Sequence, residues 1–317
     1  MAKKTPSKGP IKRPARLLTR IAAPARPAVH PLAPLLQRIA DALERENPAP
    51  AAGAELSGAD AFVWHAENRS LAPVRHVSRV SLNLLKGIER QSELLIANTV
   101  QHADGYPANN ALLWGARGSG KSSLVKAVHA AVNEMRRAAR RLALVEIHRE
   151  DIQSLPRLLA RLREARRQCI LFCDDLSFEG EDHSYKALKA VLEGGLDGRP
   201  ANVLFYATSN RRHMLARSMI ENERAAAIHD SEAAEEKVSL SDRFGLWLGF
   251  HNLDQDTYLA IVAGYAAAFK LPLSAADLRA RAIEWSMTRG ARSGRVAWQL
   301  IQAVAGDLKI KIDLTGM

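Results

Sequence analysis

A chain of 317 residues with 47% hydrophobic content has room for one large core or two modest ones, which excludes a wholly disordered polymer. The formal charge of +11 suggests a polyanion partner, but Lys3, Lys4, Lys8, Lys12, Arg13, Arg16, Arg20 and Arg26 supply eight of those charges with no acid before Asp41, and removing the eight leaves +3. The basicity therefore belongs to an arm, and the folded body makes only a weak case for nucleic acid. Cys169 and Cys173, the two cysteines, share one short apolar run on which a strand holds them too far apart to bridge, so neither a disulfide framework nor a metal site is indicated. No apolar stretch reaches the length of a membrane span and the N-terminus lacks a secretory apolar block, so a cytoplasmic location is expected.

Residues 1–30 mix Lys, Arg, Pro and Ala without periodicity, the composition of a disordered basic arm. Residues 31–60 hold a short amphipathic helix, with Leu35, Leu36, Ile39 and Leu43 at helical spacing, and then a linker rich in Ala, Pro and Gly. From Ala61 to Val80 aromatic and apolar residues read as a packed approach segment, and Leu82 to Val100 as a helix. Apolar runs at Ala111 to Trp114, Leu142 to Ile147, Cys169 to Cys173 and Val203 to Thr208 then alternate with helical patterns from Lys121, around Leu158 to Arg167 and around Tyr185 to Leu192. Such alternation implies a parallel sheet with helices on both faces. Residues 211–239 form a polar insert carrying Glu221, Glu223, Asp230, Glu232, Glu235 and Glu236. After Phe250 only helices are expected: Thr257 to Phe269, one capped by Ser274 with Asp277, and one beginning after Ser293.

Gly115 to Ser122 reads GARGSGKS, a match to the phosphate-loop pattern G-x-x-x-x-G-K-[ST] between an apolar run and a helix. The glycines let backbone N–H groups from Gly115 through Ala116, Arg117, Gly118, Ser119 and Gly120 curl around phosphate oxygens, and the following helix, with Ser122 and Ser123 in its first turn, points its positive end at the same anion. Lys121 would reach the β and γ phosphates of a nucleoside triphosphate and Ser122 would hold Mg²⁺. The run ending in Asp174 and Asp175 delivers carboxylates to the strand edge where open α/β sheets bind ligands. Asp174 suits the metal shell and Asp175 the polarisation of water, with Glu179 a competitor for that role. Asn210, past the end of another apolar run, can orient water without adding charge. The arginines at 136 to 141 and 157 to 167 read as solvated helix faces, and Trp114, Trp247, Trp285 and Trp298 as core.

In this order the motifs resemble the AAA+ ATPases. The stretch LSDRFGLWLGF is similar to the segment bearing the arginine finger, on Arg243, and GARSGRVAWQ to the sensor 2 helix start, on Arg295 with Arg292 as the alternative. ANNALLWGARGSGKSSLVKA, FCDDLSFE, LSDRFGLWL and LLKGIERQSELLIAN are similar to the bacterial family called domain of unknown function 815, over roughly Ala61 to Leu308. The resemblance implies an α/β P-loop NTPase with a three-layer parallel sheet, an AAA+ domain over 61–250 and an all-helical lid over 251–317. It further implies ATP and Mg²⁺, adenine rather than guanine, and a homo-oligomeric ring of about six in which Arg243 acts across a subunit boundary, remodelling a protein or nucleic-acid client. One departure is Asp175 where most of the superfamily has Glu, a methylene longer. This shortening, with the basic arm, gives some weight to the alternative of an ATP-controlled binding or loading switch with little turnover.

Overall fold

The computed structural model describes residues 32–46, 56–177, 184–193, 198–211 and 241–312. The basic arm, most of the linker, Glu179 and the 211–239 insert after Arg211 lie outside the described residues. Contacts divide the chain into two units, Met1–Pro50 and Ala51–Met317. The first contains helix α1 (Ala33–Glu46), whose Leu35, Leu36 and Ile39 are exposed.

The second unit is built on a seven-stranded sheet: β1 (Ala61–His65), β2 (Ser70–Pro73), β3 (Ala111–Gly115), β4 (Ala143–Glu146), β5 (Cys169–Cys173), β6 (Val203–Ser209) and β7 (Leu246–Phe250). Their order across the sheet is β2-β1-β4-β5-β6-β3-β7, parallel throughout except for the β1–β2 hairpin. Strands buried on both faces need continuous apolar runs, and CILFC and VLFYATS are buried at every position. Helices α2 (Glu89–Ala103) and α3 (Lys121–Glu134) cover one face, where Leu95, Leu124 and Val128 share a core with Leu113, Ile170 and Leu204. On the other, α4 (Leu155–Arg163) and α5 (Ser184–Glu193) bring Leu158, Leu162 and Leu188 against Leu112, Leu171 and Phe205. Successive residues of each strand thus serve opposite cores, giving three layers. Cys169 and Cys173 are buried, free thiols within β5.

Three helices follow: α6 (Gln255–Ala268), α7 (Ala275–Arg289) and α8 (Gly294–Asp307). Asp254, Ser274 and Ser293 cap them, each side chain accepting from the backbone N–H three residues on. Val80 and Leu84 join the core of this helical subdomain, so the segment between β2 and α2 spans its core and that of the sheet.

One local expectation is corrected, and two segments hold strands that the sequence reading did not announce. The approach segment from Ala61 contains the β1–β2 hairpin, two strands of five and four residues without burial alternation. The helix read over Leu82 to Val100 is a 3₁₀ turn at Leu82–Leu84, then Gly87 at φ 76°, and only then α2. A side chain at Gly87 would meet Thr257 Cγ2 at 2.5 Å, so the chain bends where the helical subdomain packs on it. The segment read for Arg243 ends in strand β7, which closes the sheet beside β3.

Candidate nucleotide-binding site

β3 ends at Gly115, and the next turn is dictated by crowding. A Cβ on Gly115 would lie 1.9 Å from the carbonyl oxygen of Phe250, while the N–H of Ala116 donates to that same oxygen at 2.9 Å. Gly118 and Gly120 hold φ of 71° and 95°, conformations costly for any side chain, and Gly120 leads directly into α3. The loop is thereby wrapped over the N-terminus of α3, where N–H groups lack intrahelical acceptors and the dipole favours an anion.

Lys121 is almost fully buried, 7% exposed, and its Nζ donates to Gly115 O at 2.9 Å, Ala116 O at 2.7 Å and Asn210 Oδ1 at 3.1 Å. Burial pulls its pKa down to about 8; Asp174 and Asp175 oppose this, while Arg117 and Arg295 reinforce it. Ser122 Oγ donates to Asp174 Oδ1 at 2.6 Å, and Thr208 Oγ1 donates to the same oxygen at 2.5 Å. Thr208 in turn accepts from the N–H of Asp175 at 2.8 Å. Asp175 has φ 51°, a left-handed conformation uncommon for a non-glycine residue, and its Oδ1 accepts from Asn210 Nδ2. The strand order explains this chain of bonds. β6 lies between β3 and β5, so its tip, with Thr208 and Asn210, reaches the lysine on one side and both aspartates on the other.

These groups open onto a cavity of about 720 Å³. Of the residues expected from sequence, Arg117, Gly118, Gly120, Lys121, Ser122, Ser123, Asp174, Asp175, Asn210 and Arg295 line it. Gly115, Ala116 and Ser119 shape the loop behind, Ser119 Oγ donating to Ala116 O at 2.7 Å. Arg243 is exposed on the turn before β7 and is not among the lining residues. Arg292 is also outside, its Nη2 donating to Gln255 Oε1 at 3.3 Å. The start of α8 touches the loop directly, Gly294 N donating to Gly118 O at 2.9 Å.

Sequence reasoning missed Thr208, Arg79, Lys126, Tyr265 and Trp298 as cavity residues. Lys126 was legible, since it follows Ser122 by four residues on one helix face. Trp298, read as core, is half-buried, lines the cavity and packs on Tyr265 with ring centroids 5.4 Å apart. Nothing in its local pattern separates these two positions.

The donor set fits a Mg²⁺ nucleotide. A hard cation that keeps several waters needs only one or two protein oxygens beside the phosphates, and Ser122 Oγ and Asp174 Oδ1 are adjacent at the foot of the loop. Among the described residues no group of three or more His, Cys, Asp or Glu could hold a metal, and no helix is long and apolar enough to cross a membrane.

A parallel sheet with the phosphate-loop strand flanked by β6 and β7, carboxylates at the tip of β5, and a helical subdomain on the loop is the P-loop fold of AAA+ type. The chain belongs to the DUF815 family, described as a protein of unknown function, whose profile matches residues 57–308. Among solved structures it is similar to the Thermotoga maritima RuvB Holliday junction branch migration motor, at 15% identity and TM-score 0.43, over 76% of this chain and 75% of that one. A single-residue variant of the same RuvB aligns at 14% identity and TM-score 0.44, over 76% of each chain. No curated protein matches it significantly in sequence.

Proposed function

We propose that this chain is an AAA+ ATPase that binds and hydrolyses MgATP at the subunit interfaces of a cytoplasmic homo-oligomer, using the cycle to remodel a macromolecular client. The observation that carries the reading is the continuous bonded set Lys121, Asn210, Asp175, Thr208, Asp174 and Ser122 on the wall of one cavity.

In this reading Lys121 leaves the loop carbonyls for the β and γ phosphates, and Ser122 and Asp174 hold Mg²⁺, which when bound neutralises charge on the phosphate oxygens. Asp175 takes the proton of the attacking water, and Asn210 fixes the carboxylate that receives it. Arg295, on the first turn of α8, senses the triphosphate, and the contact between Gly294 and Gly118 passes a change in the loop to the helical lid. The position of Arg243 outside its own cavity supports a role in a neighbouring subunit's site, where a guanidinium would stabilise charge developing on the transferred phosphoryl group.

The test is ATP turnover measured against protein concentration, with molecular mass followed in the same samples, for the wild type, Asp175→Asn and Arg243→Ala. Turnover that rises with assembly and is lost in both variants supports a ring ATPase. Tight binding and assembly with negligible wild-type turnover would instead select the ATP-controlled switch, which the shorter Asp175 also suits.

A further inference from the structure

Beside the nucleotide cavity lies a second one of about 440 Å³, bounded by the start of β1, the segment after β2 and the flank of α3. Four cations line it, Arg75, Arg79, Lys126 and Arg141, against two carboxylates, Asp60 and Glu134. Both acids are already engaged. Asp60 accepts from Arg141 at 3.1 Å and from Arg167, which is not part of the lining, and Glu134 accepts from Arg79 at 3.3 Å. The Nε of Arg141 is buried and has no acceptor. The wall therefore carries cationic charge beyond what its own carboxylates balance, on Arg75 and Lys126.

We propose that this cavity binds a small phosphate-bearing ligand distinct from the nucleotide, with Arg75, Lys126 and Arg141 as donors to its oxyanion. Guanidinium forks and an ammonium are the groups that match phosphate oxygens in geometry and charge, and the volume falls within the ~300 to 1,000 Å³ typical of small-molecule sites. Arg79 and Lys126 line the nucleotide cavity as well. An anion in the second cavity and a triphosphate in the first draw on the shared Lys126 and repel each other. The ligand therefore weakens nucleotide binding, and by linkage the nucleotide weakens the ligand by the same factor. The site acts as an effector site that reports a phosphorylated metabolite to the ATPase centre.

Inorganic phosphate titrated calorimetrically into the full chain, saturated beforehand with Mg²⁺ and a non-hydrolysable ATP analogue, tests the proposal. Saturable phosphate binding is expected to persist under saturation, with an affinity lower than in the nucleotide-free chain by a finite factor that levels off once the analogue site is full. In Arg75→Ala, an exposed position that lines only the second cavity, phosphate affinity should fall about tenfold while analogue affinity stays within about twofold. Arg141→Gln should weaken phosphate similarly, with thermal melting confirming that both variants fold. Phosphate affinity that falls without limit as analogue is raised, the mark of one shared site, or that is unchanged in both variants, would overturn the proposal and leave the phosphate loop as the anion site. If the analogue itself fails to bind, the same titration in Lys121→Ala separates the cavities: phosphate binding retained there supports the second site, and its loss refutes it.

Discussion

Burial of Lys121 makes nucleotide affinity depend on pH in a direction that can be worked out beforehand. In the free protein its pKa stands at about 8, because the ammonium is desolvated beneath the loop and faces Arg117 and Arg295. A triphosphate against the same nitrogen supplies opposite charge and returns the pKa toward the ordinary lysine value of 10.5. The pKa is thus higher in the complex than in the free chain, so affinity is full below pH 8 and is lost as pH rises above it. At pH 9 about one free lysine in eleven is charged, and binding must recruit a proton. Affinity for a non-hydrolysable MgATP analogue should be roughly tenfold weaker at pH 9 than at pH 7, about 1.4 kcal/mol. Calorimetry in two buffers of different ionisation enthalpy should register uptake of roughly 0.9 proton at pH 9. Lys121→Arg, charged throughout this range, should bind more weakly but with a flat pH profile. Equal wild-type affinity at pH 7 and 9 with no proton uptake would refute the argument from burial, and a slope retained in Lys121→Arg would assign the titration to another group.

Thr208→Val keeps the shape but removes the hydroxyl that donates to Asp174 and accepts from the N–H of Asp175. Steady-state assays should show turnover lower by about 10- to 100-fold, and urea midpoints a loss of about 1–3 kcal/mol. Gly115→Ala forces a Cβ into the backbone carbonyl of Phe250 and should cost more than about 3 kcal/mol or abolish folding, whereas Gly306→Ala, with open space around it in α8, should stabilise by about 0.5–1 kcal/mol. His102 and His129 are buried against the carbonyls of Cys169 and Leu142, and burial holds both at about 4 against 6.5 for a free imidazole. Their folded pKa values are depressed, so the unfolded chain takes up protons first and stability falls as pH drops from 6.5 to 4, by about 3 kcal/mol for each. Urea melts across that window should show the decline, with His129→Gln removing about half of it; an acid-insensitive midpoint would contradict the burial of these rings.

Much of this protein is legible in one dimension because its chemistry is local. A phosphate loop needs its glycines, lysine and serine within eight consecutive residues, and a strand buried on both faces announces itself as an unbroken apolar run. The chain order of GARGSGKS, CILFCDD and the apolar run before Asn210 therefore defines a P-loop architecture and most of the cavity wall. Strand order is different, since no residue of β6 states that it will pair with β3 on one side and β5 on the other. That insertion turns Thr208 from the end of an apolar run into the partner of both aspartates. The same holds for Trp298 and Arg79, whose helical or loop context is ordinary and whose place at the cavity depends on the helical subdomain packing over Val80 and Leu84. The sequence alone determined which chemical groups the chain carries and the local turns that present them. Which groups meet across the sheet and under the helices was decided only by tertiary packing, because long-range pairing follows from the shared burial of surfaces that no short segment contains.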